Sequence, residues 1–571
     1  MDKLFRTELK SAKANFYKQS VAELKQKKPG DWFRCLKKIT SADQIRDEQP
    51  TVQEINHLSD QEQAEAIAEQ FAKIQNEYKP LKEDDIYIPT FTSKDVPVFQ
   101  PAQVWFALCK LNTDRATVPG DFPAKLAKTF AAYLAEPLAD IINTSVRRGE
   151  YPNIYKFEVS TPVPKVHPTQ STAQLRNISG LFNFDKIFEK LLAEMMISDM
   201  SNNLDPAQYG NQKGLSIQHY LINMIHRILT VLDNNSRRQT FAIIASLIDW
   251  KDAFPRQCPK LGVQSFIKNG VRPALIPVLV NYFQDRKMSV KWHGCRSVPR
   301  HIHGGGPQGA TLGILEYLSQ SNNSADLVQD LDRFKFVDDL SVLEIVDLLT
   351  VGITSYNLKY HIPSDLPLHN QYIPAHNLKS QNWLDDIHKW TVNQKMMLNP
   401  KKTKNMIFNF TNKYKFSTRL KIDEETIETV PNTRLLGTII EENLSWDLNT
   451  ANVVTKANAS MQILRRVASF GASDSDMKDI YILFVRSLLE QSATVWHSSL
   501  SQQNISDLER VQKTALKIIL GGRYRNYKDS LLKLDILSLS EQREQLCLQF
   551  ALKCTKKSQN KTHVPRKPEK T

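Results

Sequence analysis

Three carboxylates have the types and setting to do chemistry together. Asp249 ends a nearly all-apolar run, FAIIASLI at 241–248, which places it at the edge of a buried strand. Asp338 and Asp339 lie within FKFVDDLSVLE, which alternates apolar and polar residues as a β-hairpin does, with the acid pair at its tip. If the two strands are neighbours, the carboxylates converge although 89 residues separate 249 from 338. Converging carboxylates repel and need cations between them. Mg²⁺ takes oxygen ligands and is usually held by one or two carboxylates plus substrate phosphates. Two such ions about 3.5–4 Å apart activate an attacking 3′-hydroxyl and stabilise a leaving pyrophosphate, which is nucleotidyl transfer. An Asp-Asp pair alone is more often a solvated turn. Asp84-Asp85 and Asp385-Asp386 are expected to be of that kind, the latter on an amphipathic helix.

The surroundings of the three acids sharpen the chemistry. Asp249 opens the pattern D-x-x-x-A-F, closing on Ala253-Phe254. Gly304-Gly305-Gly306-Pro307-Gln308-Gly309 follows, then Trp390, then Leu398-Asn399-Pro400-Lys401-Lys402-Thr403-Lys404. Leu435-Leu436-Gly437 and Leu444-Ser445-Trp446 come last. The glycines permit close backbone approach to a ligand.

The elements that must position these residues are legible in outline. Residues 59–78 read as one helix, with Ser59 and Glu62 as a capping box and Ile67, Phe71 and Ile74 as its apolar stripe. Residues 79–100, rich in Pro and acids, read as a linker. Helical patterns dominate from 101 to 235, with PVPKV at 162–166 as a short extended piece. A hairpin is expected around 288–302 and a helix at 310–322. Residues 352–380, rich in Pro, His and Asn, read as a surface insertion. Beyond 455 the pattern is helical, with a second capping box at Ser506 and Glu509, and the end of the chain reads as a disordered basic tail.

Composition bounds the partners. The 571 residues exceed one core and imply several lobes. A formal net charge of +14 suits a polyanionic partner, nucleic acid ahead of a membrane surface. The six cysteines form no C-x-x-C pair, so neither a disulfide framework nor a zinc ribbon is indicated, and a reducing intracellular compartment fits best. His293, Cys295, His301 and His303 are more simply strand residues than a zinc site. No signal peptide or bilayer-spanning run is seen, so no membrane partner is expected.

Taken together and in order, these blocks resemble the reverse transcriptases of non-LTR (LINE-type) retrotransposons, from about residue 105 to about 555. The resemblance implies an α+β right-hand polymerase with fingers, a palm built on an antiparallel sheet, a helical thumb and a helical N-terminal extension. The expected divisions are 1–100 for the basic helical extension and linker, 101–235 for the fingers, 236–450 for the palm, 451–553 for the thumb and 554–571 for the tail. It implies that Asp249, Asp338 and Asp339 hold Mg²⁺, with Mn²⁺ as a substitute. Phe254 matches the aromatic that excludes a 2′-hydroxyl, and Gln308 the residue that hydrogen-bonds nucleotide sugar or template. Lys402 matches the candidate acid for departing pyrophosphate, and Leu436-Gly437 the primer grip. Lys165 and Arg176, in blocks resembling those of the fingers, would bind the triphosphate. Gln208-Tyr209-Gly210 resembles a block near the template. The family usually carries Pro where Asn177 stands and Asp where Pro255 stands.

The implied partners are an RNA template, a DNA primer or target and dNTPs. The implied setting is the cytoplasm and the nucleus, where the enzyme acts on nuclear DNA. Residues 1–100 are too short and too polar for the endonuclease domain that commonly begins such proteins. A catalytically impaired RNA- and DNA-binding descendant is the alternative, against which the intact Asp249, Phe254, Gln308, Asp338 and Asp339 speak. An RNA-templated RNA polymerase or intron maturase is disfavoured by Phe254 and by the C-terminal helical pattern.

Overall fold

The computed structural model describes residues 2–17, 25, 29–39, 50–113, 118–234, 240–351, 371–410 and 416–558. Two sheets organise it. The first joins β1 (Phe157–Pro164), β2 (Leu175–Gly180), β4 (Lys287–Trp292) and the short β5 (Cys295–Arg296) and β6 (Arg300–His301). Within it β1 runs antiparallel to β2 and parallel to β4. The second contains β3 (Phe241–Ile248), β7 (Arg333–Phe336) and β8 (Asp339–Asp347), extended by strands Lys404–Phe408 and Glu428–Thr429. Here β3 lies between β8 and Lys404–Phe408, antiparallel to both.

The apolar run of β3 follows from this place. Ile243 and Ala245 face a core shared with helices Ile217–Asn234, Asp447–Ser469 and Gln502–Leu520. Ala242, Ile244 and Ile248 face a second core that includes Leu384 and Leu398. A strand covered on both faces loses the apolar–polar alternation of a half-exposed one. A third core gathers helices Pro101–Cys109, Ala131–Arg148, Asn183–Met200, Pro259–Lys268 and Ile276–Phe283. The architecture is mixed α/β: a central, largely antiparallel sheet, a second sheet, and C-terminal helices that pack into the first core.

Helix Asp60–Gln75 has the expected capping box: Ser59 accepts from the Glu62 amide, and Glu62 accepts from the Ser59 amide at 2.9 Å. Its Ile67, Ala68 and Phe71 pack against Met288, Val290 and Trp292 of β4. The segment 79–100, read as a linker, is fastened along the third core by buried Leu81, Ile86 and Phe99. The N-terminal residues are not simply a polar extension either. Tyr17, Trp32 and Leu36 enter the same core as Trp446 and Trp496, and Lys25 pairs with Asp476 and Asp479, each at 2.6 Å.

The expected capping box at Ser506 is not formed. Helix Gln502–Leu520 begins a turn earlier because Ser501 accepts the Asn504 amide at 3.1 Å, leaving Ser506 inside the helix. The C-terminal helix continues to Ser558, and the rest of the expected tail lies outside the described residues, as does 352–370 of the expected insertion. Among the described residues no helix is long and apolar enough to cross a membrane.

Candidate active site

The register of β3 and β8 brings the acids together. Ile248 pairs with Leu340, so Asp249 emerges beside Asp339. Phe336 pairs with Asp339 across β7 and β8, leaving Val337-Asp338 as a two-residue turn. Asp249 is tied on its other side to the block at 398–404. Its carbonyl accepts the Asn399 amide at 2.8 Å and its amide donates to Thr403 Oγ1 at 3.2 Å. Trp250 pairs with Leu398, and its ring meets Trp390 edge-on at 5.9 Å. This lattice delivers Lys402 to the mouth of the site.

A cavity of about 560 Å³ opens over these ends. Of the sequence candidates it gathers Lys165, Arg176, Asp249, Phe254, Gln308, Asp338 and Lys402. Lys165 and Arg176 come from β1–β2, where Val163 pairs with Arg176. Gln308 is set by its carbonyl, which accepts the Ser179 amide of β2 at 2.8 Å. Asp339, at the first position of β8, does not itself line the cavity. Leu436 and Gly437 are not brought to the cavity. They form the tight turn between strands Asn432–Leu435 and Thr438–Glu441, both with positive φ (48° and 88°), as a two-residue hairpin favours.

Burial and mutual repulsion dominate the electrostatics. Desolvation raises the affinity of all three carboxyls for protons. Lys402 and a hydrogen bond from Asn399 partly offset this at Asp249, and Arg176 does so at Asp338. Asp339 has no such cation. Burial, then Asp338 and Asp249, push its carboxyl up to about 7. Asp249 Oδ2 is buried without a hydrogen-bond partner. Such an orphaned oxygen beside two further carboxylates fits a divalent cation. Among the described residues no three His, Cys, Asp or Glu side chains close into a ready-made metal cage. Of the cysteine and histidines of 293–303, His293 bonds Asp60 at 3.1 Å and the Pro50 carbonyl at 2.9 Å, while Cys295 and His301 lie in β5 and β6.

Several residues of the site carried no distinguishing signal in the sequence. Asp252, three residues beyond Asp249, holds Lys165 in an ion pair at 3.1 Å. Tyr317, on helix Thr311–Gln320, is fully buried with its ring 5.3 Å from that of Phe254. Its hydroxyl has no partner among the described residues and is held in its protonated form by burial and by the three aspartates. Helix Asp60–Gln75 supplies Gln70, Ile74 and Gln75 to the cavity wall, a role that no local pattern reveals.

Two acidic strand ends on the central sheet thus face a basic hairpin across a cavity. No protein-family model matches the chain. Curated relatives do. The probable RNA-directed DNA polymerase from transposon X-element of Drosophila melanogaster is 25% identical over 234 residues, 40% of this chain and 25% of that protein. The corresponding protein from transposon BS of the same fly is 22% identical over 392 residues, 68% of this chain and 41% of that one. The RNA-directed DNA polymerase from mobile element jockey of Drosophila funebris is 22% identical over 303 residues, covering 50% and 30%. The chain is a homologue of these non-LTR transposon polymerases and spans less than half the length of each. A solved structure of telomerase from Candida albicans with a fragment of telomeric RNA aligns at a TM-score of 0.34 and 10% identity, over 71% of this chain and 69% of that one.

Proposed function

We propose that this chain is the RNA-directed DNA polymerase portion of a non-LTR retrotransposon protein, extending a DNA primer with dNTPs on an RNA template. One observation carries the reading: the paired ends of β3 and β8 put Asp249 beside Asp338-Asp339, at a cavity that also receives Lys165, Arg176, Phe254, Gln308 and Lys402 from separate parts of the chain. On this reading the fingers, palm and thumb correspond to 101–235, 236–450 and 451–553. Asp249, Asp338 and Asp339 hold Mg²⁺ or Mn²⁺. When bound, the ions activate the primer 3′-hydroxyl and stabilise pyrophosphate. Lys165 and Arg176 bind the triphosphate, Arg176 by a bidentate contact. Lys402 protonates the departing pyrophosphate, Gln308 bonds the nucleotide sugar or template, and Leu436-Gly437 supports the primer.

The test is primer extension. Purified protein with Mg²⁺ and dNTPs should lengthen a DNA primer annealed to RNA. Binding of the duplex with no extension would instead favour a non-catalytic nucleic-acid-binding descendant.

Two quantitative expectations follow from the site. Phe254 is braced from behind by Tyr317, so it presents a fixed wall to the sugar. Phe254→Val is expected to lower dNTP-over-rNTP selectivity by roughly 10²-fold, read as the ratio of kcat/KM values, with dNTP turnover changed far less. A metal must also displace the proton on Asp339, whose carboxyl lies near 7 rather than 3.8. Calorimetric Mg²⁺ affinity should therefore rise as pH goes from 6 to 8, by up to about tenfold per unit below 7. The sign for stability is the opposite. The raised carboxyl binds protons better in the folded state, so the cation-free protein loses stability as pH climbs from about 4 through about 7. A flat Mg²⁺ affinity across this range would refute the assignment.

A further inference from the structure

We infer that Gln208 is a positioning residue for the acidic turn: its side-chain oxygen, brought in from a remote segment, holds the backbone in the shape that presents Asp338 and Asp339. The inference rests on reading those carboxylates as the metal site.

Val337, the first residue of the turn, has a φ of 56°. A β-branched residue is rarely found there, and it persists only where its surroundings over-determine it. Segment 205–210 supplies that constraint in three layers. The deepest is ionic: the Asp205 carboxylate lies 2.7 Å from Lys335 Nζ and 3.0 Å from Arg333 Nη2, all three side chains largely buried. The second is backbone pairing. Lys335 N–H donates to the Ala207 carbonyl at 2.9 Å, and Tyr209 N–H donates to the Lys335 carbonyl at 2.8 Å.

The third layer reaches the turn itself. Gln208 Oε1 accepts the Val337 N–H at 3.0 Å and the Gly210 N–H at 2.8 Å. Gln208 is 5% exposed, so water cannot readily take over either bond. The amide of a turn's first central residue has no ladder partner of its own, so this acceptor is what satisfies it. Gly210 completes the fit, since a Cβ there would come within 2.5 Å of the Val337 nitrogen. Because Asp338 follows directly, any rotation of the Val337 peptide redirects its carboxylate. Gln208 touches no reacting group, so it acts through the turn.

The test compares Gln208→Leu, which keeps the bulk but loses the acceptor, with Gln208→Glu, which keeps an acceptor oxygen. Hydrogen exchange of residues 334–340, the Mg²⁺ concentration that half-saturates extension and the KM for dNTP are measured for each. In Gln208→Leu, exchange at 334–340 should be about 10–100-fold faster. Half-saturating Mg²⁺ should rise several-fold while the dNTP KM at saturating Mg²⁺ holds. Gln208→Glu should restore both protection and metal response. Gly210→Ala, which wedges a carbon against the Val337 amide, should reproduce the Leu pattern and serves if Gln208→Leu does not fold. Unchanged exchange and Mg²⁺ response in a folded Leu or Ala variant, or no restoration by Glu, would overturn the inference. If the parent protein extends no primer, the proposed function fails, while hydrogen exchange still decides whether Gln208 holds the turn.

Discussion

Asp338→Ala is expected to abolish primer extension, by a factor of at least about 10³, while the metal-free protein becomes no less stable than the parent. The two halves have one cause. Asp338 stands at the tip of the turn beside Asp339 and near Asp249, with only the Arg176 charge and its own backbone N–H to offset its desolvation. Desolvation is the main reason all three carboxyls bind protons better, and without a cation Asp338 adds to this at Asp249, as Asp338 and Asp249 do at Asp339. Alanine removes one member and relieves the other two, so the metal-free fold gains. It cannot hold an ion, so the electrostatic stabilisation of the reaction, usually the largest single contribution, is lost. Such opposed changes are expected where function requires a destabilised arrangement. Thermal midpoints without Mg²⁺, set beside extension rates with it, check both halves. The parent should also gain more stability from Mg²⁺ than the variant does. Extension by the variant at the parental rate would remove Asp338 from the site.

Arg286→Met is expected to destabilise the protein by about 3–5 kcal/mol, and by more at pH 8 than at pH 5. Arg286 is the cation of a buried polar knot between the helices of the third core and the first sheet. Its guanidinium lies 3.8 Å from Glu158 and 4.6 Å from the centre of the Tyr282 ring. Asp185 and Glu189 lie near enough for its charge to lower their proton affinity, against the larger effect of burial. Methionine fills much of the space but leaves Glu158, Asp185 and Glu189 in the interior without a positive charge. Their proton affinities then rise further. Folded carboxyls that bind protons better than unfolded ones cost stability as pH rises above the unfolded value, which sets the sign.

Function should fall with stability, because Glu189 also accepts the Thr311 amide at 2.9 Å and the Tyr282 hydroxyl at 2.6 Å. It thereby caps the helix that begins just after Gln308. Urea unfolding of parent and variant at the two pH values reads the effect directly. A loss below about 1 kcal/mol at both would show that water or rearrangement replaces the arginine.

Local features were legible where their cause is local. The capping box at Ser59 and Glu62 is a contact three residues long, and it formed. The FVDD hairpin announces itself by alternation, and β3 by an unbroken apolar run. Ser506 shows the limit of such signals: Ser501, an equally good cap, lies one turn earlier, and the extra turn adds Asn504 to the buried face of the helix. Segment 79–100 shows another. Its prolines and acids suggest a linker, yet Leu81, Ile86 and Phe99 each find a hydrophobic core that only the folded chain supplies.

The acid pair itself divides the same way. The identity of Asp249, Asp338 and Asp339, and the kind of ion they suit, followed from residue chemistry and order along the chain. Lys165, Arg176, Phe254, Gln308 and Lys402 came as their company only through the family resemblance, and all five line the cavity. Tertiary structure alone decided how the acids are held and charged. The Gln208 bond to Val337, the Asp252 pairing with Lys165, the Tyr317 brace behind Phe254 and the wall from helix Asp60–Gln75 all join residues far apart in sequence. It also left Leu436-Gly437 outside the cavity, in a hairpin turn of its own. Residue type determines which chemistry is available, whereas burial, strain and charge coupling are properties of neighbours, and neighbours exist only once the chain has folded.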